Sequence, residues 1–102
     1  MDRIEKIIKL IEEKPGIYIG KKSVDRLAHF LSGYECAIAD ILQERPCFNS
    51  QFQSFLEETL GLEWCTEHWS SLISKNRTEE EAFFAFFEYF DKMTESRKTS
   101  KK

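Results

Sequence analysis

The stretch from Thr78 to Met93, TEEEAFFAFFEYFDKM, constrains the fold of this chain more than any other. Thr78 followed three residues later by Glu81 is a capping box, in which side-chain oxygens accept from two of the free N–H groups at a helix start. Glu79, Glu80 and Glu81 also load the positive end of the helix dipole with negative charge. Behind them Phe83, Phe86, Phe87, Phe90 and Met93 fall on one helical face, widened by Phe84 and Tyr89. Burying one such side chain is worth about 1.5–3 kcal/mol, so the stripe demands an apolar wall opposite it. With 102 residues, 41% of them hydrophobic and nine of them Phe, the chain can build one such core without disulfides or metal.

The wall is predicted to come from further helices. Ile4, Ile7, Ile8 and Ile11 form one stripe over residues 2–14, with Leu10 slightly off it, and Pro15 ends that helix. Ser23 is a good N-cap for a helix over residues 24–44, which carries Leu27, Phe30, Leu31, Tyr34, Ile38 and Ile41 on one face and stops before Pro46. Gly33 in its middle costs up to about 1 kcal/mol relative to Ala, which predicts close packing of another element there. Asn49 or Ser50 caps a third helix with Phe52, Phe55, Leu56 and Leu60, closed by Gly61. Thr66, between Trp64 and Trp69, is a cap candidate for a short helix with Leu72 and Ile73. The expected fold is all-α, about five helices in an irregular or orthogonal bundle over residues 1–95. The tail 96–102, SRKTSKK, is expected to be disordered.

Between the first two long helices lies KPGIYIGKKS, residues 14–23. Gly16 is expected at positive φ, with Ile17, Tyr18 and Ile19 as an extended corner docked on the core. A similar string occurs in the ATPase subunits of type II topoisomerases, ahead of their nucleotide-binding elements. That fold needs Gly-rich lid motifs and a mixed sheet, whereas this chain has four glycines and no Gly-rich loop after the corner. The motif therefore reads as a structural turn, with no nucleotide or other cofactor implied.

Catalytic and metal chemistry find little support. Cys36, Cys47 and Cys65 show no CxxC spacing and, with His29 and His68, no zinc-ligand pattern, so they are expected as buried, reduced thiols. Cys65 and His68 stand three residues apart and could share a helical turn, but nothing beside them supplies an oxyanion site. Glu57 and Glu58 are neighbours in sequence and point apart on a helix, so they form no acid–base dyad. The chain is expected not to be an enzyme. No apolar run approaches the ~20 residues of a membrane span, and charges interrupt the N-terminal stripe, which predicts a cytoplasmic protein without a signal peptide.

Charge points to the kind of partner. The net charge is −3, the tail contributes +4, and residues 23–95 hold 14 acidic against five basic side chains. Such a body repels nucleic acid and suits a basic protein surface, although simple solubility would produce the same balance. Glu57, Glu58, Glu63 and Glu67 cluster around a helix end and the connection beyond it, and Asp40 and Glu44 extend the patch if the chain doubles back. Trp64, inside that cluster, is either its apolar anchor or a buried core residue.

Over residues 4–93 the pattern KPGIYIG, S..RL..FL.GY..A, F..FL...L, a lone Trp and EEEAFFAFFEYFDKM resembles small bacterial immunity proteins of polymorphic toxin systems, including contact-dependent growth inhibition loci. The resemblance rests on Pro15, Gly16, Tyr18, Gly20, Gly33, Tyr34, Trp69 and Phe87, while Lys14 and Ile17 stand where that group often has Arg and Met. It implies an inhibitor that binds a cognate toxin domain, with a nuclease the expected class, and covers its active site or substrate path. A small helical structural or regulatory interaction module without a toxin partner is the alternative reading.

Overall fold

The computed structural model describes residues 3–63 and 65–100, with side chains described for all of these except 97–100. Its elements are α1 (Arg3–Glu13), α2 (Pro15–Tyr18), α3 (Val24–Leu42), α4 (Phe48–Leu60), α5 (Trp69–Ser74) and α6 (Glu79–Ser100). Helix accounts for 76% of the chain and no strand occurs among the described residues, so the fold is all-α.

The last helix organises the rest, as its sequence requires. Its capping box closes in both directions: Thr78 N–H donates to Glu81 Oε1 at 2.8 Å, and Glu81 N–H donates to Thr78 Oγ1 at 3.2 Å. Phe83, Phe86, Phe87, Phe90 and Met93 are buried, whereas Phe84 lies 48% exposed. Phe52 and Trp69 pack on Phe86 with ring centroids 5.0 and 5.2 Å away, and Phe48 touches Phe86 and Phe90, so α4 and α5 complete an aromatic centre. Ile4, Ile8 and Ile11 of α1 and Val24, Leu27, Leu31 and Ile38 of α3 supply the aliphatic part of the core.

Polar contacts fix the directions of these helices. Arg3 Nη1 reaches both carboxylate oxygens of Glu44 at 2.7 and 2.8 Å, which sets the start of α1 beside the end of α3, antiparallel. Lys9 donates to Asp91 Oδ1 at 2.9 Å and ties α1 to α6; the same hydrogen bond raises the Lys9 pKa. Lys21 bonds Glu79, and that bond, followed by one from Ser23, holds the Glu79 carboxyl below the usual range.

Several local expectations are corrected. Pro15–Tyr18 is a single α-helical turn rather than an extended corner, because Pro at the first helical position needs no N–H partner. Gly16 has no positive φ; Gly20 does, at φ 86°. Ile19 is buried and Tyr18 half-buried, but Ile17 is 70% exposed and docks on nothing described. Ser23 caps α3 as expected, accepting from Arg26 N–H at 3.3 Å, yet α3 ends at Leu42, where Gln43 takes a left-handed conformation. Gly33 is exposed, and nothing described lies within 4 Å of where its Cβ would stand. Ile41 is 74% exposed.

The start of α4 differs in an instructive way. Cys47 stands at the cap position with no side-chain bond, and neither Asn49 nor Ser50 is the N-cap. Glu35 of α3 caps the helix from outside, accepting from Asn49 N–H at 3.0 Å and from Asn49 Nδ2 at 2.6 Å. Asn49 Oδ1 in turn accepts from the indole N–H of fully buried Trp69 at 2.9 Å. Gly61 closes α4 in the left-handed region as expected. The short helix is capped by His68, which accepts from Ser70 N–H, rather than by Thr66. Finally, α6 runs through Ser100, across most of the stretch expected to be disordered. Extending an existing helix costs no new nucleation, and basic residues suit a helix C-terminus.

Candidate functional site

The acidic cluster predicted from sequence divides into two places. Glu57 and Glu58 stand in the last turn of α4, and exposed Glu63 follows in the connection beyond Gly61. Glu67 comes close to them through Gln53, whose Nε2 donates to Glu57 Oε2 at 2.9 Å and to the Glu67 carbonyl at 2.8 Å. The Glu67 carboxylate is paired with Lys75, which offsets its charge. Asp40 and Glu44 do not join this group. They sit at the end of α3 beside the start of α4, about 14 Å along that helix from Glu57, and Glu44 is occupied by Arg3. Trp64, the expected anchor, lies outside the described residues.

Two side chains that the sequence reading did not use as anchors stand among the remaining carboxylates. Leu60 is 42% exposed and Leu62 is 39% exposed, one on each side of Gly61. The signal for Leu62 was its place after the helix-closing glycine. The expectation of Leu60 in the core fails because the α4 stripe that packs on α6 ends at Leu56. Glu58 faces a shallow groove between α4 and α6, lined also by Ser54, Phe55 and Met93.

The electrostatics of this end are unusual for a helix. A helix C-terminus carries roughly half a negative charge, so carboxylates there are unfavourable by about 0.3–1 kcal/mol each. The last turn of α4 nonetheless contains Glu57 and Glu58 and no basic residue. The dipole end, Glu57, Glu58 and Glu63 add to one negative field around two exposed leucines. This arrangement offers an apolar centre with an anionic rim, suited to a cationic surface that has an apolar patch of its own.

The cysteines and histidines make local contacts. The Cys65 thiol donates to the Glu67 carbonyl at 3.5 Å, while His68 Nδ1 accepts from Ser70 N–H at 3.2 Å and faces the Ser70 hydroxyl at 2.9 Å, so thiol and imidazole serve separate partners. Burial, and then the nearby His29, lower the His68 pKa. Contrary to expectation, Cys36 and Cys47 are exposed and Cys65 is half-buried; all three are free thiols. Among the described residues no group of three or more His, Cys, Asp or Glu could hold a metal ion, and no helix is long and apolar enough to cross a membrane. Comparison with protein-family models, characterised proteins and solved structures finds no match to the chain.

Proposed function

We propose that the chain is an immunity-type inhibitor that binds a basic toxin domain through the C-terminal end of α4 and neutralises it by steric cover, without chemistry of its own. The observation that carries this reading is the last turn of α4, where Glu57 and Glu58 stand against the helix dipole with Leu60 and Leu62 exposed beside them. Stability alone does not favour that placement. Complementarity to a cationic cleft does, because it steers encounter and excludes neutral or acidic partners. A nuclease is the toxin class that fits best, since a cleft that holds a phosphate backbone is basic. The whole-chain resemblance to immunity proteins of polymorphic toxin systems supports the same assignment, as does the overall negative body.

The test is protection in living cells. The C-terminal domain of the toxin gene directly upstream is expressed from an inducible promoter, with and without this chain. The reading expects growth arrest by the domain alone and full rescue by co-expression. Rescue is expected to weaken with Glu57→Lys/Glu63→Lys at equal protein level. Arrest that the wild-type chain fails to relieve would refute it, as would the absence of any toxin gene upstream.

A further inference from the structure

The groove between α4 and α6 combines two kinds of lining. Met93, 4% exposed, and half-buried Phe55 make it apolar, while Ser54 and Glu58, one turn apart at exposed positions of α4, make one side polar. Phe55 and Glu58 stand three residues apart on α4, so ring and carboxylate are neighbours, with Cβ atoms about 5–6 Å apart. The groove offers about 410 Å³ and lies open to solvent. A free small molecule would leave much of its surface in water there, whereas a long side chain carried on a larger partner is held by its neighbours as well.

The chain's own cations show what such a pairing attracts. Lys9 lies over the Phe90 ring, 5.6 Å from its centre, and bonds the Asp91 carboxylate at 2.9 Å, so one cation is shared between an aromatic ring and an acid. Lys22 lies over Phe84 at 4.9 Å and Lys92 over Tyr89 at 5.8 Å. Phe55 and Glu58 repeat the ring-and-acid arrangement, yet among the described side chains no cation stands over Phe55 and none pairs with Glu58. Glu58 also lies in the last turn of α4, where the negative end of the helix dipole favours an approaching cation.

We propose that this groove seats one arginine side chain of the partner protein. The planar guanidinium lies on the Phe55 ring, and its N–H groups bond the Glu58 carboxylate and the Ser54 hydroxyl. An ammonium cannot reproduce that combination of stacking and forked bonding. The aliphatic stem lies along Phe55 and the Met93 thioether, so the stem is buried while the charged head stays at the acid. Arginine is also enriched among the residues that dominate interface energies. Glu58 belongs both to this groove and to the anionic rim at the end of α4, so one partner engages the two together. Assigning the arginine to a toxin domain rests on the inhibitor reading; the preference of the groove for a guanidinium does not.

The test is an NMR titration of the isolated full chain with N-acetyl-arginine methylamide, followed through the Met93 methyl and Phe55 ring resonances. Saturable shifts are expected, with half-saturation at about 20 mM. The lysine analogue is expected to bind at least ~3-fold more weakly. The norleucine analogue, which has the stem without the charge, is expected not to saturate up to ~100 mM. Glu58→Gln, at an exposed site, is expected to weaken arginine binding at least ~5-fold, and Glu63→Gln to leave it within about twofold. Arg97→Ala, on α6 one turn beyond Met93, is expected to change it by less than about twofold. Absence of saturable wild-type shifts up to ~100 mM overturns the proposal. So does equal binding of the lysine or norleucine analogue, or indifference to Glu58→Gln. A gain of more than ~5-fold in Arg97→Ala would also overturn it, by giving the groove to the chain's own arginine. No toxin domain enters this titration, so its failure is distinct from a failure of rescue in cells.

Discussion

Asn49→Ala is the most informative single substitution for the fold. Asn49 bridges Glu35 on α3 to the indole N–H of Trp69 on α5, from the first turn of α4. Its removal strands the Trp69 N–H in a site where the whole residue is 0% exposed; a buried unsatisfied donor costs about 1–3 kcal/mol. The 2.6 Å bond to the Glu35 carboxylate is lost as well. Bonds to charged groups contribute about 1.5–3 kcal/mol, but Glu35 is only half-buried and recovers part of that from water. Alanine's higher helix propensity returns roughly 0.5 kcal/mol. The backbone N–H of residue 49 still caps against Glu35, so the net loss is about 2–3 kcal/mol. For a domain this size that lowers the melting temperature by about 10–20 °C and moves the urea midpoint by about 1–2 M at unchanged slope. Paired urea titrations of wild type, Asn49→Ala, Glu35→Ala and the double variant are the assay. A coupling energy of about 1 kcal/mol or more is expected between the two sites. A loss below about 0.5 kcal/mol for Asn49→Ala, the range of an ordinary surface change, would refute the bridge.

Gly20→Ala should cost about 1–3 kcal/mol, because φ is 86° there and the new Cβ would meet Arg26 Nη1 at 2.6 Å, while Gly16→Ala should be neutral or slightly stabilising in open space; thermal melts separate the two. Stability should also fall in mild acid. Burial and His29 hold the His68 pKa below its unfolded value near 6.5, so its contribution is complete above that value and is lost as pH falls through the folded pKa. His68→Asn, which keeps a capping acceptor, should flatten this dependence in urea titrations from pH 7.5 to 5; an unchanged slope would assign it elsewhere.

How far the fold was readable depended on how local each cause is. The capping box at Thr78, the Ser23 cap and the Gly61 closure each act within a few residues, and each appears where the sequence places it. The Glu35 cap spans 14 residues and two helices, so no local motif announces it. At the corner the left-handed residue is Gly20 rather than Gly16 because Pro15 starts a helical turn instead of only ending one, and the N–H groups of Ile19 and Gly20 both return to the Pro15 carbonyl. The cysteine error was avoidable: Cys36 falls off the Leu27–Leu31–Ile38 stripe, and helical phase outweighs the average burial of cysteine. For the candidate site, sequence proximity places Glu57 near Glu67, and Gln53 bridges the Glu57 carboxylate to the Glu67 backbone carbonyl. Proximity could not separate Asp40 and Glu44, whose distance is set by the direction of α4.

The measurement closest to the central claim is a calorimetric and stopped-flow titration, at low and high salt, of the purified chain with the toxin domain that the proposal places in the gene directly upstream. The account predicts a one-to-one complex whose association slows as salt rises, since fields from Glu57, Glu58 and Glu63 are screened beyond about 8 Å at physiological ionic strength. It also predicts at least ~10-fold slower association for a folded Glu57→Lys/Glu63→Lys variant. Absence of a complex, or a complex whose association ignores both salt and this charge reversal, would contradict it.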